Sequence, residues 1–322
     1  MLAKNVIEIQ LSKIETLLTQ AIVHDNPALW LFENDLRTPI FMLEAIFRGY
    51  EKVYHNKEFK KIKLKCKELE DALGAVDFYY ASAKEFSSNK QIKPSVINYL
   101  KLQTAEKISN LNDVLLKENW LNGKRILKIR KAYQQNSWVA EETELKLIEA
   151  FYLKSIDKVN KFIVETTFVF DNVEEDVHEL RRRLRWLSIY PQAFGGIFQY
   201  ADNKLRPSTQ VKKYLTTEII HSPYNVMPTA VQVKKPIQLN KHFFLSLSWM
   251  IRELGILKDA GLNVLILKEA LVHLKAANET NGETLALQIL GKKKLTIKQL
   301  LVNAQKIVQV YFKENNLSKI VV

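Results

Sequence analysis

Four basic side chains are spaced to lie together on one helix face within residues 177–187 of this chain. They recur at i, i+3, i+4 and i+7: His178, Arg181, Arg182 and Arg185. A guanidinium donates two parallel hydrogen bonds to a phosphate, and a histidine adds a donor that titrates near neutral pH. The spacing therefore predicts an anion-binding face. The alternative is a solvated face whose charges are paired by carboxylates such as Glu174, Glu175 and Asp176.

The composition favours an anionic partner and excludes several protein classes. The 322 residues include 48 Lys and Arg against 35 Asp and Glu, a net charge of +13. Such a surplus predicts binding to nucleic acid, phosphorylated metabolites, polyphosphate or an acidic surface, although many basic proteins have no such partner. With 9 Gly and 8 Pro, the chain has too few turn residues for a β-sandwich or propeller, and it lacks glycine-rich nucleotide-binding motifs.

Nearly continuous helical periodicity predicts an all-α fold. The expected helices span 2–24, 27–55 with a kink at Pro39, 57–88, 94–120, 124–135, 141–165, 172–190, 208–221, 240–260, 262–278, 283–290 and 296–314. Three prolines at 222–237 predict a long surface loop. No apolar run approaches the roughly 18 residues of a membrane span. We therefore expect a cytoplasmic protein that does not associate with membranes.

Three short matches in the same order indicate an internal duplication. Residues 34–37 match 178–181, residues 73–77 match 254–259, and residues 123–130 match 291–298. The offset rises from 144 to 181 between the first two matches, as expected if the proline-rich segment is an insertion. We predict an N-terminal helix at 1–25, a first helical half at 26–165 and a second at 166–322, packed as a pseudo-two-fold bundle.

These matched segments resemble the repeat signature of the CHAD family, the conserved histidine α-helical domain. That signature reads His-x-x-Arg with further basic residues on the same face, followed on a later helix by Leu-Gly-x-x-x-Asp. The second half has His178, Arg181, Arg182 and Arg185, then Leu254-Gly255 and Asp259. The first half has Arg37, then Leu73-Gly74 and Asp77, a run that is one residue shorter than the signature. The resemblance, which covers most of 26–315, implies two pseudo-symmetric helical halves around a basic cavity. It also implies non-catalytic binding of inorganic polyphosphate.

The first half departs from that signature and offers lysines instead. Asn34, Thr38 and Phe41 occupy positions where the family has basic residues. Lysines at i, i+3 and i+7 line the next helix, and the second-half counterpart of the first of them is also basic: Lys60, Lys63, Lys67 and Lys241. We predict that lysines from one half complement arginines from the other, whereas an ordinary solvated face is the alternative.

Further lysines lie near two helix starts, where the helix dipole disfavours cations. They are Lys124, Lys128 and Lys131, and in the matching segment Lys292, Lys293, Lys294 and Lys298. We include Lys124 and Lys128 among the anion-binding candidates. Lysines whose aliphatic stems cover apolar surface are the alternative.

Catalysis and metal binding have little support in the sequence. No G-x-S-x-G motif is present, and the single cysteine, Cys66, lies on an apolar stripe. Two Glu-x-x-His pairs end at His178 and His221, but arginines beside the first would repel a dication. We therefore predict a polyphosphate-binding protein that is not an enzyme and needs no metal or cofactor. The alternatives are a helical protein-interaction scaffold with a decayed anion site, or nucleic-acid binding through aromatic residues such as Tyr79, Trp186 and Tyr214.

Overall fold

The computed structural model describes residues 2–201, 207–291 and 295–322. These residues contain thirteen α-helices and two strands of three residues each. Helices make up 73% of the structure, so its mostly helical class is as predicted, with a short parallel strand pair in addition. The contacts divide the chain into two compact units. The duplication and the boundary at 165/166 stay predictions.

Unit 1 consists of Met1–Val139 and Asn263–Lys292. Its first helices are α1 (Leu2–Ala21), α2 (Pro27–Glu33), α3 (Arg37–Tyr54), α4 (Lys57–Ser87), α5 (Pro94–Lys117) and α6 (Lys124–Gln134). Helix α4 packs along both α3 and α5. The predicted apolar stripe of α4 is buried, including Cys66, Leu69 and Leu73. An aromatic cluster with Trp138 at its centre closes one end, where Phe59 stacks at a ring distance of 5.8 Å.

Helix α2 begins where the sequence predicts, but the start of a separate helix α3 at Arg37 was not predicted. The side chain of Asn26 caps α2 by accepting a hydrogen bond from the Leu29 amide at 3.1 Å, and Pro27 follows at the first helical position. The expected single helix over 27–55 is two helices, separated by a turn in which Asp35 has a φ of 54°. Pro39 lies in the first turn of α3, where its missing amide hydrogen costs no helical hydrogen bond, and so it does not kink a longer helix.

Arg130 on α6 holds α1 in place through two carboxylates. Its guanidinium lies 2.7 Å from Glu8 and 2.7 Å from Glu15, and the Tyr133 hydroxyl also donates to Glu8. Burial raises the pKa of Glu8, but the hydrogen bonds from Arg130 and Tyr133 outweigh it, so the pKa is lowered. The hydrogen bond from Arg130 likewise lowers the pKa of Glu15. Both carboxylates therefore stabilise the fold most when they are ionised.

Substituting Arg130→Met should lower the free energy of unfolding by about 1 kcal/mol at neutral pH, since the three side chains are partly exposed. Because the folded-state pKa values are lowered, this contribution is complete above the ordinary carboxyl pKa of 4.5 and is lost as the pH falls through the folded values. Urea unfolding of both proteins across this pH range measures the difference. Lys128→Met, on the same helix, is the control and should change little. A pH-independent difference for Arg130→Met would contradict the assignment.

Unit 2 consists of Ala140–Leu262 and Lys293–Val322. It contains α7 (Glu141–Glu165), a π-helix (Val173–His178) that continues into α8 (Glu179–Ala193), the short helices α9 (Thr209–Lys212) and α10 (Thr217–Ile220), 3₁₀ turns at Pro223–Asn225 and Leu317–Lys319, and α13 (Ile297–Lys313). Strands β1 (Phe198–Tyr200) and β2 (Ile237–Leu239) pair in parallel. Buried Tyr152 on α7 donates to the Leu187 carbonyl at 2.9 Å and so ties α7 to α8.

The proline-rich segment 222–237 is irregular, as predicted, but it is not confined to the surface. Asn225 is buried, and its amide donates to the Ile219 carbonyl at 2.8 Å. Val231 is also buried, and its amide donates to the Gly195 carbonyl at 2.8 Å. Gly196 lies against the Val231 backbone with a φ of 133°, so a side chain at Gly196 would overlap the Val231 carbonyl oxygen.

The two helices expected at 240–260 and 262–278 are one continuous helix, α11 (Lys241–His273). Its residues up to Leu262 belong to unit 2, and those from Asn263 belong to unit 1. In unit 1, Glu269 accepts hydrogen bonds from the hydroxyls of Tyr99 at 2.8 Å and Tyr79 at 3.2 Å. Helix α12 (Gly282–Leu290) follows in the same unit.

Candidate functional site

In unit 1, Arg37 lies over the glycine of the first Leu-Gly motif. A Cβ atom at Gly74 would be 2.8 Å from an Arg37 nitrogen, so glycine leaves the space that the guanidinium fills. Arg37 Nε donates to Glu70 at 2.9 Å, and Nη1 donates to Asp77 at 2.8 Å. Both acids belong to α4, one turn before and one turn after the glycine. The positive charge of Arg37 is therefore paired within its own unit.

In unit 2, Arg181 lies over the glycine of the second Leu-Gly motif. A Cβ atom at Gly255 would be 3.0 Å from Arg181 Nε. Arg181 Nε donates to the Ile251 backbone carbonyl at 3.2 Å. Ile251 precedes Gly255 by four residues, just as Glu70 precedes Gly74, so a carbonyl here replaces the carboxylate of unit 1. The same arrangement of arginine on glycine thus occurs once in each unit.

The charge of Arg181 is not paired in the way that the charge of Arg37 is. Arg181 makes no ion pair with any carboxylate in the described parts of the chain, and it is half-buried. Burial lowers its pKa, while the Asp259 carboxylate acts in the opposite direction from a greater distance. Asp259 itself pairs with Lys258 at 2.7 Å. A desolvated guanidinium that keeps N–H donors available is a favourable site for an anion. A bound anion would accept those hydrogen bonds and balance the positive charge of the guanidinium.

Two other members of the arginine face, His178 and Arg182, pair with acids of their own helical segment. His178 Nδ1 lies 2.6 Å from Glu174, and Arg182 lies 2.6 Å from Glu179. Glu179 also pairs with Arg183 at 2.7 Å, and that guanidinium covers the ring of Phe162 at 4.2 Å. Arg185 is half-buried. The pairing of His178 and Arg182 with acids agrees with the alternative, a solvated face whose charges are paired by carboxylates. The surroundings of Arg181 do not agree with it.

The predicted lysine face of α4 points partly toward α3. Lys63 lies 2.5 Å from Glu51 on α3, and both side chains are mostly buried, at 15% and 9% exposure. Lys67 pairs with Asp71 on its own helix. Lys60 is exposed and makes no ion pair with a described residue. Since Arg181 belongs to unit 2 and the lysines belong to unit 1, the predicted complementarity between the halves stays a prediction.

The remaining candidates lie on exposed surface. Lys124 and Lys128 are exposed on α6 and make no ion pair within the described ranges. Lys241 is exposed at the start of α11, with its ammonium 5.7 Å from the centre of the Tyr200 ring. The lysines 292–294 lie outside the described residues, so their match to the α6 lysines stays a prediction.

Sequence reasoning missed the acids that decide which cations are available. Glu51 and Glu70 reach basic residues 12 and 33 positions away along the chain. Spacing on one helix identifies the residues of a face but not the partner that a neighbouring helix supplies. Lys258 was also missed, although it stands directly before Asp259 in the second Leu-Gly-x-x-x-Asp motif and pairs with that acid.

The described residues contain no group of three or more His, Cys, Asp or Glu side chains arranged to hold a metal ion. Burial raises the pKa of the Cys66 thiol well above its ordinary value, which keeps the thiol protonated and unreactive. Among the described residues there is also no helix that is both long enough and apolar enough to cross a membrane.

Comparisons with protein-family models, with curated proteins and with solved structures find no match for this chain. The resemblance to the CHAD family therefore depends on the residue pattern alone, and any functional conclusion depends on the geometry described above.

Proposed function

We propose that this protein binds a phosphate-rich polyanion, with inorganic polyphosphate as the preferred ligand, and that it does so without catalysing a reaction. The observation that carries the proposal is the half-buried Arg181 guanidinium, which makes no ion pair with a described carboxylate. A phosphate oxygen would accept hydrogen bonds from donors that the Ile251 carbonyl does not use. Arg182 and Arg185, on the same helix face, would add positive charge for neighbouring phosphates, and His178 would add a hydrogen-bond donor.

The contrast between Arg37 and Arg181 supports this proposal. Around Arg37, the carboxylates of Glu70 and Asp77 accept hydrogen bonds from the guanidinium. Around Arg181, a phosphate would take the role that these carboxylates have in unit 1. The paired Arg-Gly arrangements also support the proposed duplication and the proposed kinship with the CHAD family, with the anion site retained in the second half.

The direct test compares Arg181→Gln with Arg37→Gln in binding of fluorescently labelled long-chain polyphosphate, measured by anisotropy. Loss of one charge-assisted contact should weaken binding about tenfold in Arg181→Gln, and Arg37→Gln should leave it unchanged. Binding to the unsubstituted protein should fall steeply with salt, because a linear polyanion releases counterions when it is neutralised. Equal affinities for the two variants would place the anion elsewhere.

A second pair of variants separates displacement of the arginine from loss of its charge. Gly255→Ala favours the helix but places a methyl group against Arg181, whereas Gly74→Ala does the same to Arg37. We expect weaker polyphosphate binding only for Gly255→Ala. Single-stranded DNA of equal charge is the competitor: tighter binding to DNA would replace the proposal with nucleic-acid recognition. Binding to neither polymer would favour a protein-interaction scaffold.

A further inference from the structure

A surface groove in unit 2 has the size and lining of a small-molecule site and lies on residues that the proposed polyphosphate site does not use. It has a volume of about 390 Å³, within the range of roughly 300–1,000 Å³ that is typical of ligand pockets. Lys213 and Tyr214 line it just after α9, Trp249 lines it from α11, and three residues line it from α13: Lys306, Ile307 and Val310.

Aromatic and aliphatic side chains give the groove an apolar interior. The Tyr214 and Trp249 rings lie 4.8 Å apart between their centres, and Tyr311 packs behind Tyr214 at 5.6 Å. Tyr214 is buried, while Trp249 and Ile307 are half-exposed. Val310 is 50% exposed at the edge of the groove. An apolar ligand would cover these side chains and remove their surface from water.

The polar groups of the groove give it a positive charge. Glu314 accepts a hydrogen bond from the Tyr214 hydroxyl at 2.6 Å and pairs with Lys213 at 2.6 Å. Burial raises the pKa of Glu314, but the hydrogen bonds from Lys213, Tyr214 and Asn316 outweigh burial, so the pKa is lowered overall. The Glu314 carboxylate is therefore ionised and already hydrogen-bonded to these three side chains. Lys306 is exposed at the groove and makes no ion pair with any residue that the structure describes. The Glu314 carboxylate balances the charge of Lys213, so the ammonium of Lys306 leaves the groove with one net positive charge.

From this lining we infer that the groove binds a small amphipathic anion, with an aromatic or aliphatic body against Trp249 and Val310 and one acidic group at Lys306. A neutral apolar molecule would leave the Lys306 ammonium without a partner. A polyanion such as polyphosphate would leave the apolar walls uncovered. The groove is thus expected to select a single charge on an apolar body, in contrast to the repeated charges that Arg181 would recognise.

The test uses two fluorescent probes that share an aromatic skeleton. 8-Anilinonaphthalene-1-sulfonate carries one sulfonate, and N-phenyl-1-naphthylamine is its neutral counterpart. Both gain fluorescence in an apolar site, so titration of the folded protein measures each affinity. We expect saturable binding of the sulfonate at one site and binding of the neutral probe that is about tenfold weaker, the usual scale of one charge-assisted contact.

Three single substitutions on α13 make the test specific. Lys306→Gln should weaken sulfonate binding about tenfold and leave the neutral probe unchanged. Val310→Glu should abolish binding of both probes, because it places a carboxylate at the apolar edge. Lys298→Gln, an exposed lysine two turns away on the same helix, is the control and should change neither. Sulfonate binding that survives both Lys306→Gln and Val310→Glu, or an equal loss of both probes in Lys306→Gln, would overturn the inference.

Discussion

Substituting Gly196→Ala is expected to lower the free energy of unfolding by at least about 3 kcal/mol, the largest effect that we predict for one methyl group. Two causes add at this position. The backbone φ of 133° lies in a region that residues with a side chain rarely adopt, and a Cβ atom would overlap the Val231 carbonyl oxygen. Because that oxygen belongs to the backbone of a buried segment, the clash cannot be relieved by rotating a side chain.

The control for this effect is Gly123→Ala. Gly123 also has a positive φ, 73°, but no atom would come within 4 Å of a Cβ placed there. Its substitution should cost about 1 kcal/mol from backbone strain alone. Urea unfolding followed by far-ultraviolet circular dichroism gives both values. Similar costs for the two variants would mean that the approach of 222–237 to Gly196 does not persist in solution.

Substituting Lys63→Met is expected to lower the free energy of unfolding by about 2 kcal/mol at neutral pH. It leaves the buried Glu51 carboxylate without its closer cation, and removal of one partner from a buried ion pair is costly. Lys52 remains 3.1 Å from Glu51, which moderates the loss. The double variant Glu51→Gln with Lys63→Met should recover most of the stability, because it removes the unpaired charge. A double variant no more stable than Lys63→Met would contradict this account.

The pH dependence of the Lys63 variant has a definite sign. Burial raises the pKa of Glu51, but the hydrogen bonds from Lys63 and Lys52 outweigh it and lower the pKa below 4.5. The pair therefore stabilises the protein fully above this value, and its contribution is lost as the pH falls through the folded pKa. Lys63→Met should differ most from the unsubstituted protein at neutral pH and least in acid. An unchanged polyphosphate affinity of Lys63→Met would separate Lys63 from the binding role that its spacing predicts, and a weaker affinity would support that role.

The helices were predictable because their signals are local. Asn26 and Pro27 mark the start of α2, and the apolar stripe that contains Cys66 identifies the buried face of α4. The break before α3 was missed because it depends on the left-handed backbone of Asp35, which spacing does not reveal. The pairing of β1 with β2 was missed for a different reason: the strands are three residues long and 36 residues apart.

The candidate site was predictable in its residue types but not in its charge balance. The sequence identifies Arg37 and Arg181 as equivalent, and the structure places each one over a glycine. What differs is the acceptor: Arg37 pairs with the carboxylates of Glu70 and Asp77, whereas Arg181 donates to the Ile251 backbone carbonyl. Whether an arginine is neutralised depends on such contacts between helices, and these become visible only once the helices are packed.

The course of α11 through both units has a consequence for how the chain can be synthesised and dissected. Unit 1 begins with α1 but includes residues from Asn263 onward, and unit 2 includes α13, which lies beyond those residues. On the ribosome, neither unit can acquire all its parts until most of the chain has emerged. A fragment cut at Val139 would lack part of its own core, so we expect it to be aggregation-prone rather than an independently folding domain. Dissection experiments should therefore exchange side chains and leave the chain intact.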